Sequence, residues 1–271
     1  VPTALHGEAM EHPLDRRIPL AKWLASPDNP WFAKSIVNRY MSYLLGRGLV
    51  EPVDDLRSTN PATNEEMFIE LATYLEEHQY DVKQLVKVIM NSRLYQLSSQ
   101  PTELNKSAGK FYAFYKVKRL AAEPLLDAIN TATATTTKFT NLPLGTLAIE
   151  LPDTNYNNYF LKTFGKPRRV SVCECERAPD ENLAQALHTL NGDTINAKID
   201  DKNGRLSKLI GEEKTDEEII AALFMATWSR TPTEEELTVC KGIISEAAER
   251  EEGLGDVLWA LINAKEFIYV R

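Results

Sequence analysis

The sequence is poor in the features that announce familiar chemistries. Its 271 residues hold three cysteines, too few for a disulfide framework. No Cys-x-x-Cys-His occurs, so covalent haem attachment is excluded in this chain. There is no glycine-rich phosphate loop, no Gly-x-Ser-x-Gly elbow and no zinc-protease helix motif, which removes the nucleotide-binding, esterase and zincin sites that depend on them. No apolar run approaches the ~20 residues of a membrane helix. The longest, Ile219 to Trp228, has the length of a core helix. Basic charge is scarce: 31 Lys and Arg face 39 Asp and Glu, giving a net charge of -8. That balance argues against a nucleic-acid surface, which needs clustered cations, and Lys166-Pro167-Arg168-Arg169 is too short to reverse it. The chain opens Val1-Pro2-Thr3, without a Met or a signal peptide, and reads as a piece of a longer protein.

What is present is ordinary globular material, 43% hydrophobic and 26% charged. The dominant pattern is helical and well punctuated. Asn29-Pro30 is a cap followed by proline at the first helical position. Trp31, Phe32, Ile36, Tyr40 and Leu44 then fall near one face, and Gly46 or Gly48 ends the helix. Thr63-x-x-Glu66 reads as a capping box, and Asp81 as the cap of the next helix, after a link short enough for an antiparallel pair. Phe111 to Thr133 reads as helical, with a kink or a new start near Glu123 because Pro124 follows. Leu147 to Leu151 and Arg168 to Cys175 have strand character. Asp180, Thr215-x-x-Glu218, Thr233-x-x-Glu236 and Asp256 open the last helices. Cys240, at helical spacing with Leu237 and Ile244, reads as a small buried hydrophobe. The expectation is a mainly α-helical single domain, 1-271, with a helical half over 14-133, a β-containing insertion over 134-179 (strands near 145-175) and a second helical half over 180-271.

Cys173-Glu174-Cys175-Glu176-Arg177 gathers two cysteines, an acid and a base. On a strand, both sulfurs share one face with Cα atoms ~6.6 Å apart, near the limit of disulfide reach. A bridge there is strained and labile, which suits a redox role. Structural zinc takes four ligands, and His188 is the only histidine near in sequence, so the ligand count favours packing over metal. Arg177 reads first as a structural ion pair and second as an anchor for an anionic group.

Val53-Asp54-Asp55-Leu56-Arg57 is the strongest acidic candidate. Adjacent carboxylates on a loop can hold a hard cation or share acid–base work; more often they cap an element or bond an arginine. Asn38-Arg39 on the preceding helix is the natural partner. An enzyme reading, hydrolytic or polymer-processing, would place Asp54, Asp55, Arg57, Arg39 and Arg177 in one pocket. His6, Glu8 and His12 lie at a terminus and are discounted as a metal site. Asn155 to Tyr159 could face sugar or simply form a turn.

Several stretches together carry a resemblance: Pro19-Leu20-Ala21-Lys22-Trp23-Leu24, Val37-Asn38-Arg39, Gly46-Arg47-Gly48-Leu49-Val50-Glu51-Pro52-Val53-Asp54-Asp55, Ser92-Arg93-Leu94-Tyr95-Gln96, Arg119-Leu120-Ala121-Ala122-Glu123, the Cys173 to Arg177 cluster, Leu190-Asn191-Gly192 and Ser229-Arg230-Thr231-Pro232-Thr233. From about His12 to Tyr269 the chain resembles the planctomycete cytochrome-c-associated family, in its C-terminal domain of unknown function numbered 1553. Tyr40 stands where that pattern has Trp, and Pro124 where it has an aliphatic residue. The resemblance implies an extracytoplasmic module, periplasmic or at the cell surface, with no cofactor of its own. Haem would sit on an upstream domain. Those upstream domains and a protein or polysaccharide are the implied partners. The function this suggests is an interaction or scaffold module, with the enzyme and a Cys173–Cys175 thiol–disulfide module as competitors.

Overall fold

The computed structural model describes residues 3, 9–12, 14–26, 29–154, 156–167 and 193–270. The chain divides into two compact units, Val1–Val117 and Lys118–Val270, each with its own apolar core.

The first unit is built on α1 (Arg17–Leu24), α2 (Pro30–Leu45), α3 (Glu65–Glu77) and α4 (Val82–Met90). As predicted, Asn29 caps α2 by accepting from the Trp31 N–H at 3.0 Å, Pro30 follows, and Gly46 ends the helix at φ 76°. Ala33, Val37, Met41 and Leu45 recur every fourth residue and are all buried, the stripe a core-facing helix needs. They pack with Phe68, Ala72 and Leu75 of α3, and with Leu85 and Ile89 of α4. Asp81 caps α4 from its side chain. The cap of α3 is Asn64, not Thr63. Its side chain takes the Met67 N–H, while the Thr63 N–H is held by the Leu49 carbonyl.

Residues 112–117 are not helical. Tyr112 and Tyr115 instead donate their hydroxyls to the carbonyls of Arg47 and Leu44, at the end of α2. Burial pushes the Tyr112 phenol well above its ordinary pKa.

The second unit opens with β1 (Lys118–Arg119) and closes with β2 (Tyr269–Val270), paired antiparallel with Lys118 opposite Val270. Between them run α5 (Ala122–Thr133), α6 (Tyr159–Thr163), α7 (Asp193–Ile199), α8 (Arg205–Gly211), α9 (Asp216–Trp228), α10 (Glu234–Glu246), α11 (Arg250–Asn263) and α12 (Lys265–Ile268). The described residues are thus mainly α with one small β-sheet. In the described part of 145–175 there is no strand. Ala148–Glu150 is a single 3₁₀ turn, because the Asp127 carboxylate takes the Ala148 and Ile149 N–H groups and Glu150 reaches back to the Leu147 N–H. Residues 168–175 lie outside the described residues.

The core is drawn from Leu125, Leu126 and Ile129 of α5, Ile219, Ile220, Leu223 and Phe224 of α9, and Leu254, Val257, Leu258, Leu261 and Ile262 of α11. Both predicted capping boxes, Thr215–Glu218 and Thr233–Glu236, are formed. Asp256 does not open a helix; α11 already begins at Arg250. Cys240 is buried, and burial raises its thiol pKa.

Candidate functional site

The loop after α2 brings together most of the polar residues that the sequence singles out. Gly46 turns the chain. The fully buried Asn38 of α2 then holds the returning strand of loop: its amide donates to Val50 O at 2.9 Å and Val53 O at 2.7 Å, and its carbonyl accepts from Val50 N at 2.9 Å. Gly48 must be glycine, since a Cβ there would meet Asn38 Oδ1 at 2.6 Å. Its N–H is held by Glu51 Oε1 at 2.6 Å, and Asn60 bonds the carbonyls of Glu51 and Asp55 from outside.

On this frame Arg39 meets Asp54 at 2.6 Å. Arg57 grips Asp55 through two N–H groups at 2.6 and 2.7 Å, and that grip lowers the Asp55 pKa. Asp54, Asp55, Arg39 and Arg57 are therefore neighbours, as expected, and each carboxylate faces a guanidinium at a partly solvent-exposed surface. Arg177, Cys173 and Cys175 lie outside the described residues. So do His6, Glu8 and His188. His12 is a turn cap, accepting the Leu14 and Asp15 N–H groups. Asn158 caps α6, and Tyr156 packs edge-on against Phe139.

A second constellation surrounds the Ser229-Arg230 motif. Arg230 follows Ser229, which ends α9 at φ 57°. Its guanidinium uses all five N–H groups: toward Glu236 at 2.8 and 2.6 Å, toward Glu266 at 3.1 and 3.3 Å, and toward Thr231 O at 3.1 Å. It also lies 4.9 Å from the Trp228 ring centre and 5.6 Å from that of Phe224. Arg230 thereby joins the end of α9, the start of α10 and α12, and holds the Glu236 carboxyl down at about 2.

The model of the family described as "Protein of unknown function (DUF1553)", PSD1, matches residues 16–145 and 146–244. The chain belongs to this family. No curated protein and no solved structure matches it.

The loop of Gly46 to Asp55 and the Ser229-Arg230 corner, both motif stretches, fall within the matched segments. In each the polar residues are turned on the chain itself.

Sequence reasoning missed one feature. An open groove of about 500 Å³ runs between α7, α8 and α11 of the second unit. Buried Ile199 and Leu206 lie at its base, half-buried Trp259 stands in its wall, and Asp200, Glu251, Glu252 and Asp256 are exposed around it. Glu252, Asp256 and Trp259 recur at i, i+4 and i+7, so the wall contributed by α11 could have been read as one helix face. No helix of the described residues is long and apolar enough to cross a membrane.

Proposed function

We propose that this chain is an interaction module of a large exported bacterial protein, acting in an extracytoplasmic, cytochrome-associated assembly. One observation supports the interaction-module part of this reading: the motif arginine Arg230 commits all five of its donors inside the chain. A guanidinium so saturated fixes a corner of the fold and has no donor left for a substrate anion. Asn38 does the same for the Gly46 to Asp55 loop. Motifs used to hold a shape suit a module whose role is to present a surface. In this reading the upstream domains of the parent protein are neighbours, haem belongs to them, and the ligand is a protein or a polysaccharide.

The enzyme reading keeps one favourable observation. Asp54 and Asp55 are adjacent, and their side chains are 35% and 23% exposed, so a ligand can reach both. The thiol–disulfide reading rests on Cys173 and Cys175, and titration of thiols before and after reduction decides it.

The test of the main reading is capture. The immobilised chain is exposed to the extracytoplasmic fraction of cells that encode it, and the eluate is scanned for c-type haem absorbance. A haem-bearing eluate is expected; a haem-free one overturns the cytochrome-associated reading.

A further inference from the structure

The groove between α7, α8 and α11 has a physical character of its own. Buried Ile199 and Leu206 line it beside Gly255, and Asn196 and Ser207 add polar atoms to the lining. The indole of Trp259 offers a flat wall. Around this mixed groove stand four carboxylates, Asp200, Glu251, Glu252 and Asp256. Among the described residues none of the four is in an ion pair, although elsewhere in the unit Asp216, Glu217 and Glu236 each hold a cation. The four are spread along the rim instead of gathered on a point. Among the described residues, no three His, Cys, Asp or Glu side chains converge as metal ligands would.

From this complementarity we infer that the groove receives a short basic segment of a partner protein, an extended peptide bearing Lys or Arg. The inference rests on the reading of the chain as an interaction module and names the partner's chemistry. A groove with an indole in its wall, edged with carboxylates that are unpaired among the described residues, matches a side chain that is itself divided. The methylene stem of Lys or Arg lies in the groove and the cationic head reaches the rim. A guanidinium also stacks on the Trp259 face. The volume sits within the range of about 300–1,000 Å³ in which ligand sites fall, and the groove is open to solvent. A neutral sugar could use the indole but would leave the four carboxylates without countercharge.

The probe is a short fluorescent peptide alternating arginine and leucine, titrated into the whole chain and followed by anisotropy at physiological salt. Saturable one-to-one binding is expected. Replacing Glu252→Gln together with Asp256→Asn should weaken it roughly 10-fold, as the loss of two solvent-facing ion pairs implies. Trp259→Phe should weaken it less than Trp259→Ala. The matched control, Glu234→Gln with Glu235→Gln, makes the same change in net charge on α10 and should leave binding unaltered.

The inference is overturned if the peptide does not bind, or if the control pair weakens binding as much as the groove pair. It is also overturned if cellohexaose displaces the peptide. Loss of peptide binding alongside a haem-bearing capture removes the basic ligand and leaves the interaction reading standing. A haem-free capture alongside groove-specific peptide binding removes the cytochrome association alone.

Discussion

Gly253 of α11 lies against Ile244 of α10 so closely that a Cβ on the glycine would stand 2.6 Å from the Ile244 Cα. Two helices meet there backbone to backbone. In an exposed helix interior, alanine is favoured over glycine by about 1 kcal/mol. At this contact the sign reverses, and Gly253→Ala should cost about 1–3 kcal/mol, the usual range for overpacking. Gly242, inside α10, has nothing within 4 Å of the corresponding position, so Gly242→Ala should stabilise by about 1 kcal/mol. Urea unfolding of both variants checks the pair. Equal and same-signed shifts would mean that α10 and α11 do not meet at Gly253.

Asn38 should be the most costly polar residue of the first unit to truncate. Asn38→Ala leaves the Val50 N–H and the Val50 and Val53 carbonyls without their partner. Buried groups so orphaned cost about 1–3 kcal/mol each, and the total should reach about 3 kcal/mol. Asn60 also holds two carbonyls of this loop, but it does so beside solvent. Asn60→Ala should cost about 1 kcal/mol or less. Equilibrium denaturation separates the two, and equal costs would contradict the burial of Asn38.

Arg205 answers the C-terminal end of α5, donating to Ala132 O at 2.7 Å and Thr131 O at 3.0 Å. Lys198 adds a contact to Thr136 O just beyond. Cations at a helix C-terminus bond orphan carbonyls and meet the negative end of the dipole. Arg205→Ala should lower stability by about 1–2 kcal/mol. Arg205→Lys should recover only a fraction of that, since an ammonium lacks the two-pronged geometry. Thermal melts of the three proteins provide the comparison; an alanine variant indistinguishable from wild type would refute the cap.

Acid should loosen the Arg230 corner in a defined direction. The Glu236 carboxyl, near 4.5 when unperturbed, is held at about 2, first by Arg230 and then by the Thr233 N–H. A depressed acid contributes stability that is complete above its unfolded value and disappears as pH falls through the folded one. The difference in melting temperature between wild type and Glu236→Gln should therefore be full near neutrality. It should begin to shrink below about pH 4.5 and close toward pH 2. A difference that stays constant across this window would show that Glu236 titrates normally.

Much of the fold was legible because capping is local. Asn29-Pro30, Asp81, Thr215 and Thr233 announce helices through atoms two or three residues away, and each cap formed. Reading failed where a distant group intervened. Leu147 to Leu151 alternates like a strand, but the Asp127 carboxylate, 21 and 22 residues earlier, takes two of its N–H groups and curls it. Thr63 looks like a cap, but its N–H is drawn to Leu49. In α11, two glycines near the start disguise a helix whose packing against Ile244 requires one of them. The Arg39–Asp54 pairing was legible because a helix and the loop that ends it must lie close. The groove was not, because Asp200, just past the end of α7, and Asp256 of α11 are brought together only by the tertiary fold.

The pairing of β1 with β2 has a mechanical consequence. Lys118, where the second unit begins, lies opposite Val270, where it ends. A pull on those two residues in opposite directions loads the ladder at its open end, so its bonds break in succession instead of sharing the force. Tension along the chain would unzip this unit from its own doorway, long before its core felt the strain.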